Sequence, residues 1–250
     1  MIIDFSKYSS VKIGANCEVK VIDEMIKHDY LVIGNASNLL INQPKNLAIL
    51  GKKYEYIKEY NDYLEIGART SSYKLFNYCK KNNLTGLEFL SHLPGQMGGI
   101  TKMNAGMKEF EIKNYILEVN VDNEWIKPNF TYRNSDIKGT IYAIRLRLNK
   151  GFSLELVEQF SKMRENQPKG ASFGSIFKNP QGFSAGALID KAGLKGKVKG
   201  GAKISEMHAN FLINFNKASF EDALYLINLA QDEVLKQFKI LLEPEVLILN

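Results

Sequence analysis

Two cysteines, Cys17 and Cys79, are all that 250 residues contain, too few and too far apart for a disulfide framework or a zinc site. They read as buried thiols of a reducing compartment. Histidine is nearly as scarce. His28, His92 and His208 show no metal-ligand spacing, and no Ser–His–Asp signature accompanies them. Hydrolase and metalloenzyme readings therefore have little support, and no metal is expected. Also missing is any apolar run near the ~20 residues that span a bilayer. The opening Met1-Ile-Ile-Asp-Phe-Ser-Lys-Tyr lacks the basic, apolar and small-residue segments of an export signal. The expectation is a cytoplasmic protein with no membrane insertion. Internal repeats and low-complexity tracts are absent too.

What is present suits a globular protein: 45% hydrophobic and 24% charged residues, in a chain long enough for one large domain or two modest ones. A net charge of +6 permits nucleic acid, a membrane surface or an anionic substrate. The basic residues are scattered, however, and the aromatics follow apolar strand and helix patterns rather than a cationic face. No nucleic-acid partner is expected.

Periodicity places short strands at residues 30–34, 47–50 and 62–68 and a helix over 71–82 with Leu75, Phe76 and Cys79 on one face. Residues 115–121, 124–127 and 141–148 alternate as half-buried strands should. Gly151 marks a boundary, followed by a helix over 154–166 that stops before Pro168. Further on, residues 185–192 form a helix closed by Gly193, and 211–214 a strand. Ser219 caps a long helix with Asp222 as its capping-box partner, burying Ala223, Ile227, Ala230 and Val234. Residues 246–249 make a last strand that pairs back with the first half. The composite is α+β, with a smaller portion over 152–238.

Two glycine-bearing stretches stand out. Gly34-Asn-Ala-Ser-Asn-Leu-Leu follows a strand, where small residues let backbone amides approach a phosphate; on these residues alone a plain strand-end turn is the favoured reading. It is no G-x-G-x-x-G fingerprint, so a dinucleotide fold of that type fails. From Leu93 to Gly106, five of fourteen residues are Pro or Gly, which regular elements tolerate badly. A nest of free amides for a pyrophosphate is the favoured reading, a packing corner the other. Lys195, Lys197, Lys199 and Lys203, interleaved with Gly193, Gly196, Gly200 and Gly201, suit a diphosphate clamp or a solvated turn. Tyr132-Arg133, Gly174-Ser175-Ile-Phe-Lys-Asn179-Pro and Glu243-Pro-Glu245 combine reactive groups with local constraint, though taken singly a surface ion pair, a turn serine and a strand-entry glutamate explain them better.

In this order the stretches resemble the UDP-N-acetylenolpyruvoylglucosamine reductase family, in its short form without an extra substrate loop. Gly34-Asn-Ala-Ser-Asn38-Leu-Leu is similar to its flavin loop, and Gly86-Leu-Glu-Phe-Leu…Pro94-Gly95…Gly98-Gly99…Asn104-Ala-Gly106 to its flavin segment. Tyr132-Arg133-Asn-Ser, Gly174-Ser175-Ile-Phe-Lys-Asn-Pro, Ala192-Gly-Leu-Lys195-Gly, Gly200-Gly201-Ala, His208-Ala-Asn-Phe and Glu243-Pro-Glu245-Val follow, so the likeness covers nearly the whole chain.

The resemblance implies an FAD-binding fold of the vanillyl-alcohol-oxidase (PCMH) type with a smaller α+β substrate domain. The FAD region would be 1–151, in subdomains of about 1–52 and 53–151, completed by 239–250; the substrate domain would be 152–238. It implies reduction of an enolpyruvyl UDP-sugar by NADPH through bound FAD, for peptidoglycan synthesis, in a monomer. Ser175 would be the acid, with Arg133 and Glu245 stabilising an enolate-like intermediate, the three converging on the flavin. Gly34, Asn35, Ala36, Ser37, Asn38, Leu39, Pro94, Gly95, Gly98, Gly99, Asn104 and Gly106 would hold the cofactor. Tyr132, Asn179, Lys195 and His208 would hold the substrate. Two departures are visible: Asn35-Ala36 where glycines are usual, and Leu247 where the family often has Arg. Another FAD-dependent oxidoreductase on the same fold is the alternative, but it has no reason to carry Gly-Ser-Ile-Phe-Lys-Asn-Pro together with Glu-Pro-Glu.

Overall fold

The computed structural model describes residues 1–250. They form two compact units, one from Met1–Glu18, Asn35–Lys45 and Asn166–Asn250, the other from Val19–Gly34 and Asn46–Glu165. The α-helices are α1 (Phe5–Tyr8), α2 (Ser72–Lys81), α3 (Met97–Lys102), α4 (Leu154–Met163), α5 (Ala185–Lys191) and α6 (Phe220–Phe238). Sheets and helices are mixed in both units, and no helix is long and apolar enough to cross a membrane.

The second unit is built on a five-stranded antiparallel sheet, ordered Glu124–Ile126, Ile116–Val121, Ile141–Leu146, Leu64–Gly67, Ile57–Glu59. Leu47–Leu50 pairs in parallel with Val19 to Ile22 and with Leu31–Val32. The expected alternation fails in the middle strand, where Ile141, Tyr142, Ala143 and Ile144 are all buried. A central strand is covered on both faces, so its apolar run is continuous. Helix α2 matches the expectation: the Ser71 hydroxyl accepts from Lys74 N at 3.2 Å, and Leu75 and Cys79 are buried. Burial holds the Cys79 thiol up at about 12, with Glu88 adding to the shift.

The segment from Leu93 to Gly106 is not all loop, because Met97–Lys102 is helical despite two glycines. Each glycine costs the helix about 1 kcal/mol against alanine. Tertiary contacts offset that: Met97 N donates to Thr70 O at 2.9 Å, Gly98 N to Ala68 O at 2.8 Å, and Met97 and Ile100 are buried.

Helix α4, expected in the smaller portion after residue 151, belongs instead to the second unit. Phe160 packs edge-on against Phe89 and Phe110 in that unit's core. Buried Glu88 completes the attachment: its carboxylate accepts from Thr85 Oγ1 (2.7 Å), Gly86 N (2.7 Å) and Ser153 N (3.0 Å), the last being the cap residue of α4.

The first unit gathers segments distant in the chain. Val11, Ile13 and Leu40, from the region expected to lie with residues 1–151, share a core with Phe173, Ile204 and the buried face of α6. The last strand, Leu247–Leu249, pairs in parallel with Leu39–Ile41, a return to the first half as expected. Val198–Lys199, Ala202–Ile204 and Leu212–Asn214 make a small antiparallel sheet. Helix α6 carries the full capping box, Ser219 and Asp222 each accepting from the other's backbone at 3.1 Å, and ends at Lys239 in a left-handed conformation.

Candidate active site

In the first unit, residues 174–178 run as an irregular strand held by isolated bridges, Ser175 to Phe211 and Phe177 to Pro244. Ile176 N donates to Asn210 O at 2.8 Å, while Ile176 O accepts from Glu245 N at 2.8 Å. One residue, Ile176, thus ties the Ser175 segment to Glu245. Gly174 precedes it at φ +85°, with open space where a Cβ would point. Both Ser175 and Glu245 are part-buried.

Glu245 is fixed from its other side by the loop at 35–39. Asn38 Nδ2 donates to Glu245 O at 2.9 Å, and Leu247 N donates to Asn38 O at 3.1 Å. Ala36 is buried at φ +48°, so the loop adopts there the conformation a glycine would favour. Ser37 O accepts from Ser10 Oγ at 3.2 Å, Asn35 is exposed, and Leu39 opens the strand that receives Leu247.

Asn179, His208 and Lys195 all fall around α5. Asn179 Oδ1 accepts from Ala185 N at 3.0 Å, at the helix start. The His208 ring lies where a Cβ on Gly186 would sit, 2.9 Å from Cε1. Burial holds the His208 pKa below the ordinary value; its own backbone bond works upward, and nearby Lys195 lowers it further. Its Nδ1 accepts from Asn210 N at 3.2 Å, which leaves Nε2 as the donor. Lys195 is exposed and pairs with Asp190 at 2.8 Å.

The neighbouring glycines follow the turn reading. Gly200 (φ +49°) could carry no Cβ beside the Asp222 carboxylate, and Gly201 none beside Asn216 O. Lys199 lies over the Tyr225 ring and Lys203 pairs with Glu206, so the lysines do not converge.

The second unit places Arg133 on a two-residue hairpin between Phe130–Thr131 and Asn134–Ser135, at φ +52°. Such a backbone costs a non-glycine residue of order 1 kcal/mol and persists only when its surroundings enforce it. Asn104 supplies the enforcement. Fully buried, it donates from Nδ2 to Thr131 O at 3.0 Å and accepts at Oδ1 from Lys113 N at 3.2 Å. The guanidinium of Arg133 donates to Gly106 O at 2.9 Å and Asn104 O at 3.4 Å, and Glu111 lies 3.7 Å away. Tyr132 is exposed beneath it, ring centroid 5.0 Å from the guanidinium carbon.

Gly106 must be glycine for packing, since a Cβ would meet Phe110 O at 2.1 Å; Gly98 is tight against Ala68, at 3.1 Å. Gly99 differs: a Cβ there would meet nothing within 4 Å. Gly34 lies beside the Gln96 side chain, Gly95 O accepts from Ser72 N at 3.0 Å, and Pro94 is exposed.

The structure therefore brings Ser175 and Glu245 together in the first unit, with Asn38 beside them, and gathers Arg133, Asn104 and Gly106 in the second. Sequence reasoning missed Glu111 and Asn210. Glu111 carries no sequence signal. Asn210 stood inside the His208-Ala-Asn-Phe motif without a role. Arg164, also missed, lies near Arg133; burial first, then that charge, lowers its pKa.

A family model described as the C-terminal domain of UDP-N-acetylenolpyruvoylglucosamine reductase matches residues 166–249, the stretch that forms the last segment of the first unit. The UDP-N-acetylenolpyruvoylglucosamine reductase of Helicobacter hepaticus is 47% identical, over 100% of this chain and 98% of that protein. The enzyme so named in Campylobacter jejuni strain RM1221 is 46% identical over 100% of both. A crystal structure of the reductase (MurB) from Thermus caldophilus superposes with a TM-score of 0.87 at 30% identity, covering 100% of this chain and 98% of that one.

Proposed function

This chain belongs to the UDP-N-acetylenolpyruvoylglucosamine reductase family, and on that premise we propose that it reduces UDP-N-acetylglucosamine enolpyruvate to UDP-N-acetylmuramate. The observation that carries the reading is the tie of Glu245 N to Ile176 O at 2.8 Å, which runs the backbone of the Glu-Pro-Glu motif alongside the segment that carries Ser175. FAD, when bound, supplies hydride to the substrate double bond and is recharged by NADPH. The open space over Gly99 supports a bound cofactor, because packing within the protein does not require glycine there. Residues 34–39 and 94–106 are its proposed holders, on a fold of the vanillyl-alcohol-oxidase type.

The chain's own residues do the rest. Arg133, with its fork braced by two carbonyls, takes up charge as it develops on the substrate carboxylate. Ser175 gives its proton to the carbon beside that carboxylate. An alkoxide is costly to form, so the transfer must be short, dry and directed at a strong base, which an enolate is. Glu245 acts through a proton shared with the same intermediate; an unchanged kcat across pH in Glu245→Gln would discard this role. Lys195, Asn179 and His208 Nε2 bind the UDP part, while Tyr132 contributes an exposed ring. The reading places the enzyme in the cytoplasm, as a monomer, on the route to peptidoglycan.

The test is NADPH oxidation driven by the enolpyruvyl UDP-sugar, with Ser175→Ala run beside the parent. The expected result is unimpaired flavin reduction and loss of product by at least about 1000-fold, in the upper range for removal of a general acid. Full-speed product formation in the variant rules out Ser175 as the acid.

A further inference from the structure

We infer that Asn210 is a positioning residue: its side-chain amide and backbone carbonyl set the Ser175 segment so that the hydroxyl stays aimed for proton transfer. The inference rests on the serine-acid reading above. Residues 174–178 belong to no sheet, and the bridges that hold them are single and isolated. A strand inside a ladder keeps its register through its neighbours; this segment has no such ladder.

Asn210 takes the place of one. Its Oδ1 accepts from Phe177 N at 2.9 Å, its Nδ2 donates to Phe177 O at 2.8 Å, and its own O accepts from Ile176 N at 2.8 Å. With Glu245 N on Ile176 O, both backbone polar groups of Ile176 and both of Phe177 are bonded. An amide side chain is a peptide unit on a short stem, with a donor and an acceptor in one plane. Asn210 is 4% exposed, so none of these bonds competes with water.

The choice of side chain is narrow. A carboxylate would set a lone pair against the Phe177 carbonyl, and alanine would leave the Phe177 N–H and C=O without partners. Asn210 also donates its N–H to His208 Nδ1 at 3.2 Å, so one residue orients a proposed substrate donor and the proposed acid. Ser175 stands two residues from the clamped Phe177, close enough that slack there reaches the hydroxyl. Misplacing a reacting group by about 1 Å costs of order 100-fold in rate.

The test uses the flavin-loaded enzyme with Asn210→Ala, Asn210→Asp and Ser175→Ala, each half-reaction followed by stopped flow. Flavin reduction by NADPH is expected within about 3-fold of the parent in all three, and reoxidation by the enolpyruvyl UDP-sugar about 100-fold slower in Asn210→Ala. In Asn210→Asp, reoxidation falls similarly at pH 8 and recovers at least about tenfold by pH 6, because a protonated carboxyl again offers Phe177 O a donor. Asn210→Ala shows no such recovery. Amide exchange across residues 174–178 of the loaded enzyme should follow the same pattern.

Reoxidation within 3-fold of the parent in Asn210→Ala overturns the proposal, as does an equal loss of both half-reactions. If Asn210→Ala does not hold flavin, Asn210→Asp decides: a flat pH profile overturns the proposal and recovery sustains it. Fast reoxidation in Ser175→Ala sinks the serine reading itself. Slow Ser175→Ala beside fast Asn210→Ala sinks only the positioning role.

Discussion

The two units hold their functional side chains against different backgrounds. In the second, Arg133 sits on a strained hairpin whose strand Thr131 is pinned by fully buried Asn104, within a unit built on a continuous five-stranded sheet. In the first, Ser175 and Glu245 lie on segments joined by isolated bridges, with Asn210 and Asn38 supplying bonds that a ladder would otherwise make. Both use an asparagine amide, yet the dependence differs. Asn104 acts inside a unit built on a regular sheet, whereas Asn210 bonds a segment that no ladder supports. Regular structure gives stability freely but fixes side-chain direction by its own period, so groups that must be aimed individually end up on irregular backbone.

That contrast can be broken by experiment, and Trp125 helps because this sole tryptophan lies in the second unit, stacked with the Arg145 guanidinium at 3.8 Å. Glu88→Ala should have the largest effect, about 3 kcal/mol, because it strands two backbone N–H groups and a hydroxyl. Urea unfolding followed by Trp125 fluorescence should register that loss; an unmoved midpoint would mean α4 is not anchored through Glu88. Asn104→Ala should cost about 2 kcal/mol by the same signal, since the lost side chain was fully buried and bonded at both its oxygen and its nitrogen. It should also slow substrate-driven flavin reoxidation more than NADPH-driven reduction, and equal slowing would argue against a role through Arg133.

In the first unit, Ser219→Ala removes a cap worth about 1 kcal/mol. The loss should show in the far-ultraviolet dichroism of α6 and leave the Trp125 midpoint nearly in place; a matching shift there would mean the two units unfold as one.

The smallest effect is a pH dependence. Backbone bonding to Ser219 first, and to Gly201 next, holds the Asp222 pKa below its ordinary 3.8. A lowered folded pKa stabilises fully above the unfolded value and is lost as pH falls through the folded one. The stability difference between the parent and Asp222→Asn should therefore be constant from pH 7 to 5 and shrink below 3.8, modestly because the group is only part-buried.

Much of this was legible in the chain. Ser219 announced a helix start because a cap and its apolar periodicity are neighbours in sequence, the capping box formed with Asp222 as read, and α2 lies within the periodic stretch 71–82. Leu247–Leu249 returned to the first half, as an apolar end strand must. The Gly-Ser-Ile-Phe-Lys-Asn-Pro and Glu-Pro-Glu motifs were each readable in place. What failed depended on partners far away. The burial of Ile141 to Ile144 on both faces follows from being third of five strands, and α3 survives its glycines through the carbonyls of Ala68 and Thr70.

Local propensity, caps and the order of motifs were thus settled by sequence alone, because each is decided within a few residues. Only the tertiary structure assigned α4 to the second unit, residues 1–18 and 35–45 to the first, and the amides of Asn104 and Asn210 to the segments they hold. The physical reason is range. A buried hydrogen bond or an apolar contact is chosen by what folding brings alongside, and the chain order records nothing of which distant partner that will be.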